Sequence, residues 1–169
     1  INGVPYIYTA SSVNFTAATT GIGTNVLGGG GSYAYGYISN LRVVKGVSVY
    51  TIAAFAPPTT ALTAVTGTQL LVDVASSGAY LTDGSTNNFT LTPAGTVTYN
   101  ASTPVSTGGS LYFQSASSRL TLPSSSAFDI TGDFTIEAWV QSTAFTAGGQ
   151  GILDTRVTAQ TSAPWVFYI

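Results

Sequence analysis

The chain has no cysteine, no methionine and no histidine. Without Cys there are no disulfides, no thiolate metal ligands and no thiol redox steps, and without His both the imidazole ligand and the commonest general base are gone. Charge is nearly as scarce. Asp, Glu, Lys and Arg together make up 6% of 169 residues, against roughly 25% in an ordinary soluble domain. A net charge of -2 and a pI near 4.5 supply neither the Lys/Arg stripe that phosphate backbones require nor the polybasic cluster that anionic lipid requires. The expectation is therefore no nucleic acid partner and no membrane insertion. No apolar run is long enough to span a bilayer and no basic-then-apolar leader is present, so any export signal is expected outside this sequence.

What is present is 44% hydrophobic residues on a background of Ser, Thr, Asn, Gly and Tyr. Period-2 alternation recurs, and apolar spacing at three and four residues hardly occurs, so the fold is expected to be all-β. Strands are expected over residues 4–9, 36–44, 69–73, 110–114, 119–122, 133–141, 151–156 and 165–169, with weaker ones at 88–92 and 96–99. Turn chemistry separates them: "GGGGS" at 28–32, "SSG" at 76–78, "PSSS" at 123–126 and "TAGGQG" at 146–151. Many short strands punctuated in this way predict an antiparallel β-sandwich or jelly roll. The stretch "AFAPPTTALTAVTGT" at 54–68 differs. Pro57 and Pro58 fix an extended pair without amide donors and the Thr/Ala run has no pattern, which reads as a linker.

Two segments carry a resemblance. "GSLYF" with "SSRLTLPSSSAFDITGDFTIEAWV" (109–140), followed by "ILDTR", resembles the first part of a laminin G-like, concanavalin A-like jelly roll, and "GYISNLRVVKGVSVYT" (36–51) resembles its last strand and end. "QLLVD" at 69–73 is similar to the opening strand. The order is reversed relative to the family. The chain is therefore expected to hold parts of two consecutive repeats out of phase: residues 1–56 finish one jelly roll, 57–67 form a Pro/Thr linker and 68–169 begin the next. A permuted single domain is the alternative, since "APWVFYI" joined to "INGVPYIYT" makes a continuous Asn-Gly hairpin. The Trp-Tyr-His strand that the family usually carries in mid-domain is absent from this sequence.

In "GDFTIEAWV" alternation puts Phe134, Ile136, Ala138 and Val140 on one face, expected to be core with Phe134 in it, and Thr135, Glu137 and Trp139 on the other. The resemblance implies a glycan-contacting outer face, which makes Glu137 and Trp139 candidates, with Trp165 as a third; packing is the competing role for a strand tryptophan. No catalytic residues are expected. A glycosidase needs two flanking carboxyl groups, and the positions two residues either side of Glu137 are Thr135 and Trp139. The resemblance also raises calcium, for which Asp83 and Asn87 in "DGSTNN" supply oxygens; an Asx-turn uses the same residues. No cofactor or metal is otherwise implied. "RVVK" places Arg42 and Lys45 in opposite phase, so no basic patch forms and strand-end solvation is expected. Asn14, Asn88 and Asn100 head formal N-glycosylation triplets.

The ends read as sheet edges, with Val4, Tyr6 and Tyr8 at one end and Trp165, Phe167 and Ile169 at the other. With so little Lys or Glu to discourage edge pairing, copies or adjacent repeats are expected to meet head-to-tail. Taken together with what the resemblance implies, the expected role is a non-enzymatic structural and adhesive module of an extracellular fibre, on a phage virion or a bacterial surface, with weak glycan binding. The alternative is a carbohydrate-binding domain of a polysaccharide-active enzyme.

Overall fold

The computed structural model describes residues 4, 19–24, 33–51, 54–102, 108–144, 149–156 and 165–169. Eleven strands are described: β1 Thr20–Ile22, β2 Gly36–Lys45, β3 Thr68–Asp73, β4 Thr82–Asp83, β5 Thr92–Ala94, β6 Val97–Asn100, β7 Ser110–Phe113, β8 Arg119–Leu122, β9 Phe134–Ser142, β10 Gly151–Asp154 and β11 Val166–Tyr168. They form two antiparallel sheets, a β-sandwich. One sheet runs β11-β10-β1-β8-β5. The other is built on β2, with β9 along one edge and β3 and β7 end to end along the other; β4 flanks β3 and β6 flanks β7.

β2 is therefore the spine of its sheet, and its sequence shows how it serves two partners at once. Ile38, Leu41 and Val43 all join the core, although strict alternation from Ile38 would send Asn40 and Arg42 inward instead. Asn40 adopts φ 51, and the β2–β9 register shifts between Ser39 and Arg42. This β-bulge inserts one residue, so Leu41 turns in and Arg42 turns out. Asn is among the few non-glycine residues that accept this backbone region readily.

Between the sheets, Ile22, Leu120, Leu122, Ile152 and Leu153 meet Ile38, Leu41, Leu70, Leu111 and Phe113, all essentially without exposure. Gly23, at φ 77, lies so close to the Phe113 ring that a Cβ there would collide with it, which is why the chain passes this point as glycine. A 3₁₀ turn, Ser126–Phe128, is capped by Ser125, whose Oγ accepts from the Ala127 amide. It drives Phe128 into the core beside Phe89, with ring centroids 5.4 Å apart.

Several expectations change here. Residues from 1–56 and from 68–169 share both sheets: β1 lies between β10 and β8, and β2 lies between β9 and the β3/β7 pair. The segment 57–67 joins two stretches that share both sheets. It is a strap tied to the outer face of the β2 sheet, because its exposed carbonyls find donors there. Phe134 is 43% exposed; it begins β9 opposite Lys45, at the rim of the sheet, whereas Ile136, Ala138 and Val140 do pack on the core. The expected strand at 88–92 is displaced to Thr92–Ala94, an edge strand that tolerates Pro93. Of the expected strand at 4–9, Val4 alone is described, as exposed; Tyr6 and Tyr8 lie outside the described residues, as does Asn14.

Candidate functional site

Because of the bulge, Asn40 and Arg42 of β2 stand on the outward side of the sheet beside Glu137 and Trp139 of β9, with Arg42 opposite Glu137 and Ser39 opposite Trp139 in register. Three of these side chains, Asn40, Arg42 and Trp139, hold the strap. Asn40 donates from Nδ2 to the Thr60 carbonyl at 2.9 Å and accepts from the Leu62 amide at 3.3 Å. Arg42 donates from Nη1 to the Thr63 carbonyl at 2.7 Å, and the Trp139 indole donates to the Pro58 carbonyl at 2.8 Å. A Pro-Pro pair suits this arrangement: it offers carbonyls with no amides to satisfy.

Glu137 sits at the centre. Its Oε1 accepts from Arg42 Nε at 2.8 Å and Nη2 at 2.5 Å, and its Oε2 accepts from the Tyr50 hydroxyl at 2.5 Å. The Arg42 and Glu137 side chains are 5% and 15% exposed, so the ion pair is largely withdrawn from water and each charge depends on the other. Tyr50 in turn stacks on Phe55, with centroids 3.9 Å apart and planes 13° from parallel. Burial, followed by its bond to Glu137 and the negative charge there, pushes the Tyr50 hydroxyl from 10.0 up to about 12, against an opposing pull from Arg42. A phenol that donates to a carboxylate resists ionising, because the phenolate would face the carboxylate across the same short distance.

Beside this network lies a cavity of about 480 Å³, lined by Asn40, by Phe55, by Pro57 and Pro58 of the strap, by residues 136–140 of β9 and by residues 167–169. Aromatic and aliphatic groups dominate the lining, and Glu137 is its one side-chain carboxylate.

The structure brings together two of the three glycan-contact candidates. Glu137 and Trp139 line the same cavity, each already engaged. Trp165 is not with them: it is 8% exposed, part of the core, and its indole donates to the Phe128 carbonyl at 3.0 Å. Its role is packing. Asp83 is buried at the end of β4 and heads the turn that follows, where Oδ1 accepts from the amides of Leu71 and Ser85 and Oδ2 from the Ser85 hydroxyl and the Phe89 amide. Four donors leave its carboxylate turned to the backbone as an Asx-turn does, and Asn87 bonds through Nδ2 to the Gln69 carbonyl. No cluster of three or more metal-ligating side chains occurs among the described residues. Asn88 is exposed on that turn at φ 48. Asn100 accepts from the Ser102 amide at 2.8 Å.

Sequence reasoning missed Arg42, Asn40 and Tyr50. Arg42 was expected at a solvated strand end; it is 4% exposed. The one signal in the sequence was its rarity: a basic residue amid "NLRVV", in a chain with four in all, had no local acid to pair with.

No family model, no curated protein and no solved structure matches this chain. Among the described residues no helix is long and apolar enough to cross a membrane.

Proposed function

We propose that this chain is a non-enzymatic structural and adhesive module of an extracellular fibre. The observation that carries the reading is the state of Glu137. The cavity's one side-chain carboxylate is bound through both oxygens, to Arg42 and to Tyr50, and ties β9 to β2 and to the segment that follows β2. A hydrolytic acid needs a free proton and a second carboxyl group across the bond, and the lining offers neither. Scarce charge and a Ser/Thr/Asn surface suit a module that packs against its neighbours rather than one steered by fields.

The alternative, a carbohydrate-binding domain, is favoured by the rings of Phe55, Trp139, Phe167 and Tyr168 around the cavity, since sugars dock on aromatic faces beside a few polar groups. Incubation with a panel of soluble polysaccharides separates the readings. The expected outcome is no release of reducing ends by the wild-type chain. Release that disappears in Glu137→Gln, with the variant shown folded by circular dichroism, would overturn the proposal; polysaccharide retardation in native gels that is lost in Trp139→Ala would favour the binding domain.

A further inference from the structure

A cavity lined by five consecutive residues of one strand cannot lie over a face of the sheet, because successive side chains point to opposite sides. It runs along the strand's edge. Residues 136–140 line the cavity in this way from β9, and residues 167–169 do so from the end of the other sheet. In the described sheets β9 is paired with β2 alone and β11 with β10 alone. The cavity is therefore bracketed by two strand edges that carry no ladder on the side facing it among the described residues. Phe55 and, from the strap, Pro57 wall it on the outer side, and Phe167 with the inward row of Ile136, Ala138 and Val140 wall it on the inner side. At about 3.3 Å per residue, residues 136–140 form a slot roughly 15 Å long.

We propose that this slot is a strand acceptor that takes an extended, uncharged segment of a second copy of this chain. The incoming backbone would continue the sheet beyond β9 by main-chain hydrogen bonds, with alternate side chains entering the inner and outer walls, as in β-strand addition.

Two observations choose the occupant. The first is charge. Glu137, the slot's one charged side chain, is neutralised within the chain by Arg42, so an arriving Lys or Asp side chain would lose water and find no free side-chain partner. An uncharged, apolar segment is the complement, and a chain with 6% charge carries such segments. Residues 4–9, Val-Pro-Tyr-Ile-Tyr-Thr, are six in a row without charge. The second is shape. The strap and β11 flank the β9 edge, so two β9 strands, each embedded in a sheet, cannot meet across a two-fold axis. Only a segment free of its own sheet enters. Each contact then joins a segment of one copy to the slot of another, and such contacts propagate into filaments unless they close into a ring or a swapped pair. β9 itself contains no Lys, Arg or Pro, the residues by which natural edges block pairing. The inference rests on the structural reading above and names its assembly contact.

The test uses the whole 169-residue chain and a fluorescein-labelled peptide, VPYIYT, with VPYKYT as a charged control. The expected result is saturable binding of the first peptide by anisotropy, weaker by at least about tenfold for the control and in the slot variants Tyr168→Lys and Phe55→Lys, as for a loss of 1.4 kcal/mol or more. Both variants alter exposed positions, at 62% and 37% exposure, and their melting curves verify folding. Sedimentation should show wild-type oligomers that grow with concentration and are dispersed by unlabelled VPYIYT. Binding that is equal in both folded variants, or a wild-type chain that stays monomeric at every concentration, would overturn the acceptor. Neither result involves sugar release, so a failure here is distinct from a failure of the structural reading.

Discussion

At the scale of single residues, Glu137 shows how a carboxylate that the sequence offers as a glycan contact is engaged by its own neighbours. Three donors converge on it, and one of them, Tyr50, carries a measurable consequence. Its folded-state pKa is raised from 10.0 to about 12, so the unfolded chain loses this proton first as pH rises. The stabilisation is fully present below pH 10 and is lost as pH climbs through about 12. Urea midpoints measured between pH 8 and pH 12 should therefore fall more steeply in the wild type than in Tyr50→Phe, which has no proton to lose at that site. Equal slopes would mean that the Tyr50–Glu137 bond is not formed in solution.

At the scale of elements, the strands that alternate cleanly are the ones the sequence discloses. β8 is found where expected, at Arg119–Leu122, and β2, β3, β7 and β9 agree to within a residue or two. β1 is not legible, since "TGI" has no alternation to read and becomes a strand because it fills the space between β10 and β8. β4 is two residues long and owes its position to the Asp83 turn. The fold class was therefore readable from local periodicity, whereas the site was not. Glu137 and Trp139 could be singled out by type, but the pairing of Arg42 with Glu137 spans 95 residues and depends on a bulge that only Asn40 hints at. The same distinction corrects Phe134. Its alternation phase matches that of Ile136, yet it stands at the rim with 43% exposure, so burial follows from where a strand meets its sheet as well as from phase. Phe134→Ala should then cost less than about 1 kcal/mol in chemical denaturation, while Ile136→Ala, on the same face but packed against the core, should cost about 2 kcal/mol or more.

At the scale of the whole molecule, the two stretches on either side of the strap are interdependent. β1 and β2 supply the middle of one sheet and the spine of the other, so neither stretch closes a core alone. A chain restricted to residues 68–169 lacks the strand that Leu70, Leu111 and Ile136 pack around. It should give no cooperative melting transition, while the full chain does; a cooperative transition in the shorter chain would restore the view that it is an independent unit. The same wiring bears on how the molecule is made. β2 leaves the ribosome long before β9, and at roughly 5–20 residues per second the 95 residues between Arg42 and Glu137 take on the order of 5–20 seconds to synthesise. Over that interval β3 and then β7 become available to one side of β2, while the side that β9 covers has no partner. The demand this sandwich places on its synthesis is therefore one of timing: one side of its spine stays open until β9 arrives.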